Sequence, residues 1–197
     1  MPPQYTEMQL DALRELANIG SGTASTALSS MIGRSIDVSV PNARVLSFAD
    51  AVDAAGPAEA TVTAVVIPIF GDMDALVLLV FNAADAQTLC GLLGVEADTE
   101  WGLSALGEVG NILGTSYVTA LGQMTGLAME PRPPQTATDM LGAIVATVLA
   151  AGAGASDVAL MLDSDLIVEG ESCSLSFMLV PEENGVNELL VRLGVGG

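Results

Sequence analysis

The pattern of apolar and polar positions predicts a long amphipathic helix at the start of the chain. Thr6 and Gln9 form a capping box, in which each side chain bonds the backbone N–H of the other residue. Apolar residues then recur at helical spacing as far as Met31. Because glycine weakens a helix interior, Gly20 and Gly22 predict a bend or an interruption.

Period-two alternation and turn residues predict the strands of the first half. Proline cannot donate a ladder hydrogen bond, so Pro41 is expected to end the first strand. Gly71 lies between two β-rich runs, which predicts a hairpin, and Asn82 caps a closing helix. The predicted strands span 35–40, 44–48, 60–69 and 72–81, with a polar connection over 50–57 and a helix ending near Leu93.

The second half repeats the same order of elements. A helix is predicted from Glu100 toward Met124, and Gly126 follows its end. The apolar run from Met140 to Ala155 is too short for a membrane span and contains three glycines, which favours a buried strand. The other predicted elements are strands over 142–150, 157–168 and 172–180 and a helix within 181–192.

Four residues of the first half recur 93 positions later, without a gap. A chance match of this kind has odds on the order of one in tens of thousands per start position, so the chain is a tandem duplication. We predict a single domain over 1–197, made of two repeats at about 6–94 and 99–193. The predicted fold class is α/β (α+β), with pseudo-two-fold symmetry, one shared β-sheet and long motif-bearing helices on its surface. The repeated residues are Asp11, Glu15, Asn18 and Pro41, and then Ser104, Glu108, Asn111 and Pro134.

The repeated acid and amide lie on the polar side of their helix. With Asp11 at zero on a wheel of 100° per residue, Glu15 falls near 40° and Asn18 near −20°. Apolar residues such as Leu13 and Leu16 fall on the opposite side. A single exposed Glu–Asn pair is usually only a solvated surface. Asn is a poor residue for a helix interior, however, so finding it twice at one spacing favours a functional role.

The charge of the chain restricts its partners. Asp and Glu number 24 against 5 basic residues, all of them Arg, for a net charge of −19. Nucleic acid and anionic membranes need basic residues, so neither is an expected partner. Salt screens self-repulsion of this size, which favours a halophilic archaeon as the source. A GC-rich genome that encodes a soluble, acidic protein is the alternative.

The cysteines and the N-terminal sequence favour the cytoplasm. Cys90 and Cys173 are far apart in apolar surroundings, which is typical of core thiols in a reducing compartment. The first residues lack the basic and apolar regions of a signal peptide.

The absence of histidine narrows the chemistry open to the repeated residues. It excludes His-based triads and His metal sites, and the sequence has no P-loop or nucleophile-elbow pattern. A Glu–Asn pair can still position a water molecule or dock into another protein's site. A carboxamide can orient water for in-line phosphoryl transfer, and a Glu can pair with a partner's Lys or act as a base.

The repeated motif resembles that of the CheC family of chemotaxis phosphatases, which includes CheX and FliY. The shared pattern is Asp or Ser, then Glu, Asn and Pro at the spacing found in both copies, and the sequence ELANIGSGTASTALSSMIG is similar to the family's first helix. The resemblance extends over nearly the whole chain. It implies an enzyme of two-component signalling, a hydrolase that removes the aspartyl phosphate of the response regulator CheY.

The resemblance also assigns roles within each copy of the motif. The Asn would orient the hydrolytic water, and the Glu would pair with the regulator's Lys. The Mg²⁺ and the phosphorylated Asp belong to the regulator, so no metal or cofactor of the chain's own is expected. The implied catalytic residues are Glu15, Asn18, Glu108 and Asn111, and the supporting residues are Asp11, Ser104, Pro41 and Pro134, with the prolines ending strands near the helices.

Two other roles stay open. Members of this family bind CheD, a receptor deamidase, so the chain could be a non-catalytic adaptation scaffold. A flagellar-switch component like FliM or FliY is the other possibility. Those proteins carry a further C-terminal domain, and an end at Gly197 is expected to disfavour that role.

Overall fold

The computed structural model describes residues 5–150, 158–182 and 184–196, which form an antiparallel sheet with helices on both faces. The helices in these ranges are α1 (Glu7–Ile32), α2 (Phe48–Ala55), α3 (Ala83–Leu92), α4 (Glu100–Thr125), α5 (Leu141–Ala150) and α6 (Gly185–Arg192). The strands are β1 (Ile36–Ser47), β2 (Thr61–Gly71), β3 (Ala75–Asn82), β4 (Met129–Pro131), β5 (Gln135–Met140), β6 (Val158–Val168) and β7 (Glu171–Pro181). No helix among the described residues is long and apolar enough to cross a membrane.

The two halves of the chain interleave their strands in this one sheet. The strand order is β1-β6-β7-β3-β2-β4, and β5 also pairs with β2. The first strand of each half therefore pairs with the hairpin of the other half: β1 with β6, and β4 and β5 with β2. At the centre, β3 pairs antiparallel with β7. The first half therefore provides β1 at one edge of the sheet, and the second half provides β4 and β5 at the other edge.

The register of the duplication persists in the structure. α1 and α4 are both 26 residues long, and their bounds differ by 93 positions at each end. Thr6 and Thr99 cap the two helices, and Gly33 and Gly126 end them with φ of 72° and 73°. β1 corresponds to the segment 129–140, which is split into β4 and β5. The prediction of a mixed fold with pseudo-two-fold symmetry, one shared sheet and long surface helices is confirmed.

α1 and α4 lie side by side on one face of the sheet, above the larger core cluster, while α2 and α5 cover a smaller cluster on the other face. The two long helices approach closely where Gly20 of α1 meets Tyr117 of α4. A Cβ atom on residue 20 would collide with the Tyr117 ring, so this approach requires glycine. α1 is continuous through Gly20 and Gly22, so the predicted interruption was wrong. At Gly20 the missing side chain serves helix packing.

Three glycines bring α4 close to the sheet. Gly107, Gly110 and Gly114 are buried and recur at helical spacing on one side of α4. A Cβ atom on Gly110 would lie 2.7 Å from Cγ2 and 2.9 Å from Cβ of Val65 on β2. Carbon atoms in favourable contact are about 3.5–4.0 Å apart, so a larger residue at 110 would force α4 or Val65 to move.

Serine side chains of α1 cover the free edge of β1, which is the last strand of the sheet on its side. The Ile36 N–H donates to Ser29 Oγ at 2.8 Å, and the Val38 N–H donates to Ser25 Oγ at 2.8 Å. These bonds satisfy donors that no neighbouring strand accepts, and they block edge-to-edge association there. They also fix the position of α1, which carries the first copy of the motif.

Pro41 does not end its strand. β1 runs from Ile36 to Ser47, and its pairing with β6 gains one extra residue between Ser39 and Asn42. Proline has no N–H for the ladder, and a β-bulge accommodates that missing bond while the strand continues. The prediction of two separate strands over 35–48 was therefore wrong.

Two segments predicted without helices contain them. Leu141, Ile144 and Val148 are buried at helical spacing in α5, within the apolar run that was predicted as a strand. A short apolar run cannot be assigned to strand or helix from its pattern alone. The polar connection over 50–57 is mostly helix α2, capped by the Ser47 side chain. Strands β4 and β5 were not predicted, and residues 151–157 lie outside the described residues.

A buried polar pair joins α4 to the sheet. The hydroxyl oxygens of Tyr117 and Ser164 lie 3.0 Å apart, and Ser164 is fully buried. Burial raises the pKa of Tyr117 to about 12, while the hydrogen bond to Ser164 lowers it. Burial, with a smaller contribution from two nearby carboxylates, raises the pKa of Cys173 to about 11. Both cysteines are buried and free, as the sequence predicted for core thiols.

We expect the free energy of unfolding to fall as the pH rises above about 10. The folded pKa of Tyr117 is about 12 against an ordinary value of 10.0, so its contribution is complete below pH 10 and is lost through pH 12. At pH 11 the loss from this group is about 1 kcal/mol. Urea denaturation at pH 8 and pH 11 measures it, and Tyr117→Phe should show a weaker pH dependence. Equal pH dependence in the two proteins would contradict the assignment.

Candidate functional site

α1 presents the first copy of the motif to solvent. Asp11, Glu15 and Asn18 are exposed, whereas Leu13 and Leu16 on the opposite side are 1% and 2% exposed. The buried side anchors the helix on the core, so the Glu and the Asn are held one turn apart on a fixed frame.

α4 presents the second copy in the same way. Ser104 and Glu108 are exposed, and Asn111 is partly buried. Leu106 and Leu113, on the opposite side, are fully buried. The structure therefore brings together one Glu and one Asn on each helix, and it places the two pairs on neighbouring, packed helices.

The acid and amide groups of both copies are available to a partner. Within the described residues, no hydrogen bond or ion pair engages the side chains of Glu15, Asn18, Glu108 or Asn111. The backbone carbonyls of the two asparagines do accept side-chain hydrogen bonds, since Asn18 O accepts from Ser21 Oγ at 3.0 Å and Asn111 O accepts from Thr115 Oγ1 at 2.7 Å. Exposed groups that lack internal partners can bond to another molecule without breaking a contact of the fold.

The two copies differ in local charge. Arg14 lies beside the first copy, and its Nη1 is 2.6 Å from Asp11 Oδ1 and 3.9 Å from a Glu7 oxygen. These ion pairs are exposed and contribute little to stability. Gly107 stands at the matching position of α4, so the second copy has no cation there. Asp11 thus places an arginine next to the first site.

The motif prolines lie away from the helix faces, one within a strand and one between two strands. Pro41 lies at the bulge of β1, and Pro134 lies between the end of β4 and the start of β5. The prediction that Pro41 ends a strand was wrong, whereas Pro134 lies in the gap that separates two strands. Each marks a place where strand pairing is interrupted, which follows from the missing N–H of proline.

Two apolar residues beside the motif were not predicted from the sequence. Met8 and Trp101 are 68% and 78% exposed, and each stands three residues before the first motif residue of its helix. They are related by the same shift of 93 positions. On the helical wheel, Met8 lies on the same side as Glu15, and Trp101 lies on the same side as Glu108. Because both residues recur at the spacing of the repeat, the repeat was a signal that could have revealed them.

Other features of the described residues lie apart from the motif. No group of three or more Cys, Asp or Glu side chains in that part of the chain could hold a metal ion. A groove of about 550 Å³ lies on the opposite face of the sheet, beside α5, with Val66, Leu76 and Ile144 among its lining residues. It contains none of the motif residues.

This geometry defines a class of protein: a duplicated α/β domain with a solvent-facing Glu–Asn pair on each of two neighbouring helices. The sequence model of the CheC-like family matches residues 8–44 and 102–137, the segments that contain both copies of the motif. The chain is 31% identical over 198 aligned residues to the CheY-P phosphatase CheC of Bacillus subtilis, and the alignment covers 95% of each protein. The chain belongs to the CheC-like family.

Another relative and two solved structures are also similar to this chain. The flagellar motor switch phosphatase FliY of Bacillus subtilis is 27% identical over 137 residues, which are 66% of this chain and 35% of FliY. The fold is similar to that of Thermotoga maritima FliY, with a TM-score of 0.75 at 18% identity over 99% of this chain and 100% of that one. It is also similar to the middle domain of FliM from H. pylori, with a TM-score of 0.67 at 12% identity over 95% of this chain and 99% of that one.

Proposed function

We propose that this chain is a phosphatase for the aspartyl phosphate of a CheY-like response regulator. The observation that carries the proposal is the pair of exposed, unpartnered Glu–Asn faces in a chain 31% identical, over 95% of its length, to a CheY-P phosphatase. The proposed catalytic residues are Glu15 and Asn18 on α1, and Glu108 and Asn111 on α4.

In the proposed reaction, each Asn carboxamide enters the regulator's phosphorylation site and orients a water molecule in line with the phosphorus. The water attacks phosphorus, the bond from phosphorus to the aspartyl oxygen breaks, and phosphate leaves while the aspartate is regenerated. The Glu one turn earlier accepts a charge-assisted hydrogen bond from the regulator's Lys and holds the two proteins in register. Mg²⁺ would come from the regulator, where it neutralises charge on the phosphoryl oxygens.

The test is the decay of phosphorylated regulator, followed by phosphate release with and without this chain. We expect the chain to accelerate the decay at catalytic amounts. The assay is run from low salt to molar KCl, because a net charge of −19 disfavours docking of an acidic partner unless salt screens it. An unchanged decay rate at every salt concentration, with folded protein, would refute the proposal.

Replacing both motif glutamates by glutamine should lower kcat/KM about tenfold, chiefly through KM, because charge-assisted hydrogen bonds contribute about 1.5–3 kcal/mol. The variant is Glu15→Gln with Glu108→Gln, measured by initial rates of phosphate release. Glu59→Gln with Glu130→Gln is the matched control, since both residues are exposed, lie off α1 and α4, and change the net charge equally. If the two double variants lose the same activity, the effect is one of total charge and not of docking.

The proposed setting is a salt-rich cytoplasm, and the support is compositional. With no Lys and a net charge of −19, the chain repels itself at low ionic strength, and added salt relieves that repulsion. The alternatives of a CheD-binding scaffold and of a flagellar-switch component stay predictions, because no contact or surface in the described residues favours either over phosphatase activity.

A further inference from the structure

Trp101 and Met8 are the two most exposed large apolar side chains among the described residues, at 78% and 68%. Trp101 is the only tryptophan of the chain. It lies in the first turn of α4, and Met8 occupies the same place in α1. At 1.5 Å of rise per residue, Trp101 is about 10 Å along the helix from Glu108 and about 15 Å from Asn111. All three residues fit within one face of a standard interface, which buries about 800 Å² per partner.

A single exposed apolar residue is normal on a protein surface. Three observations distinguish this case. The exposed residue occurs in both repeats at one register, it lies on the helix side that carries the Glu and the Asn, and Ile19, directly after Asn18, is also 37% exposed. The motif face of α1 is therefore a continuous strip in which acid, amide and apolar groups alternate, and the motif face of α4 carries Trp101 on the side of its acid and amide. Tryptophan is enriched among residues that dominate binding energy.

The charge of the chain explains why an apolar contact would help a partner to bind at this face. A net charge of −19 attracts a partner only through that partner's cations, and salt weakens the attraction. The free energy gained by burying apolar surface is not screened at high ionic strength, and salts that are excluded from the protein surface increase it. A docking face that must work in salt therefore needs an apolar contact beside its carboxylate.

We propose that Trp101 is the apolar anchor by which the phosphorylated response regulator docks on α4, with Met8 as the weaker counterpart on α1. The proposal rests on the proposed function. The partner surface it fits is an apolar patch next to the lysine and the phosphoaspartate of the regulator. The α4 site is then the tighter of the two, because it has the larger anchor and lacks the cation that Arg14 places beside the α1 site.

Labelling the whole chain with 5-fluorotryptophan gives one ¹⁹F resonance, since Trp101 is the only tryptophan. We expect this resonance to shift on titration with regulator held in its phosphorylated form by beryllofluoride and Mg²⁺. Trp101→Ala should raise KM for dephosphorylation about tenfold, as for an interface hot spot, and leave kcat within about twofold. Trp101→Phe should restore most of the affinity, and Met8→Ala should raise KM only about twofold.

Val191→Ala is the matched control, since Val191 is 62% exposed on α6 and carries no proposed contact. If wild-type chain accelerates dephosphorylation while the resonance stays fixed and Trp101→Ala keeps the wild-type KM, the anchor is refuted and the phosphatase stands. If the resonance shifts without acceleration, docking through Trp101 stands and the hydrolytic function fails. If neither signal changes, both proposals fail. Thermal unfolding of Trp101→Ala should match wild type, because an exposed side chain contributes little to the core.

Discussion

Replacing both Asn18 and Asn111 by alanine is expected to lower kcat about 100-fold, with KM within about twofold of wild type. The carboxamide is the group that would orient the attacking water, and catalysis of phosphoryl transfer rests on positioning and on electrostatic stabilisation. Docking would depend on the glutamates and on Trp101, which the variant retains. Phosphate release from phosphorylated regulator, at saturating regulator, measures the effect.

The structure makes this variant suitable for the test. Neither carboxamide is hydrogen-bonded within the described residues, and alanine is the strongest helix former, so α1 and α4 should keep their packing. Asn42→Ala with Asn187→Ala is the control, since both residues are exposed and lie off the motif helices. Full activity in the Asn18, Asn111 double variant would mean that the Glu–Asn pairs do not perform the chemistry.

Single variants distinguish the two sites. If both sites act independently, Asn18→Ala and Asn111→Ala each retain part of the rate, and the two residual rates sum to that of wild type. If Trp101 anchors the regulator, the two single variants should also differ. At regulator concentrations below saturation, Asn111→Ala should lose more activity than Asn18→Ala, because the α4 site binds more tightly. A larger loss from Asn18→Ala would contradict that ranking.

The second large effect concerns stability and the position of α4. Gly110→Ala should lower the free energy of unfolding by about 1–3 kcal/mol, the usual cost of an extra methyl group in a packed core. The new Cβ would lie 2.7 Å from Cγ2 of Val65, so either α4 or β2 has to move. Gly22→Ala in α1 is the matched control, because nothing lies within 4 Å of its Cβ position. That variant should gain about 0.5–1 kcal/mol from helix propensity.

Urea denaturation followed by circular dichroism, at one fixed salt concentration, gives both values. If Gly110→Ala is too unstable to measure alone, Val65→Ala in the same chain removes both Val65 methyl groups and leaves only the Val65 Cβ close to the new Cβ, at 2.9 Å. The double variant should then fold well enough to measure, since the second change relieves part of the collision that the first one creates. Equal stability gains at positions 22 and 110 would show that α4 does not need glycine to approach the sheet.

Local sequence was sufficient to predict the elements whose ends carry capping residues or glycines. The helix from Thr6 to Gly33 and the helix capped by Asn82 match the structure, and the hairpin predicted at Gly71 turns directly after it, over residues 72–74. Capping side chains and residues with positive φ act over a few positions, so they can be identified without knowledge of the fold. The solvent-facing side of each motif helix followed from helical periodicity for the same reason.

The errors have a common physical origin. Pro41 lies in a strand because β6 pairs on both sides of the bulge, and that partner is more than 100 residues away in sequence. Leu141 to Val148 form a helix because their apolar side packs on the second face of the sheet, whereas the local pattern fits a strand equally well. The outcome in both segments depends on which element lies opposite, and no local window contains that information.

The sequence by itself determined the duplication, the two Glu–Asn pairs and their exposed sides, because repeats and helical periodicity are properties of residue order. Only the tertiary structure decided that β1 and the β4–β5 segment exchange partners between the halves, and that α1 and α4 lie side by side. It also showed that glycines let α4 pack closely on the sheet and that the Trp101 side chain is exposed beside the second motif. These features arise from contacts between residues that are distant in sequence, and such contacts form only when the sheet and its helices pack together.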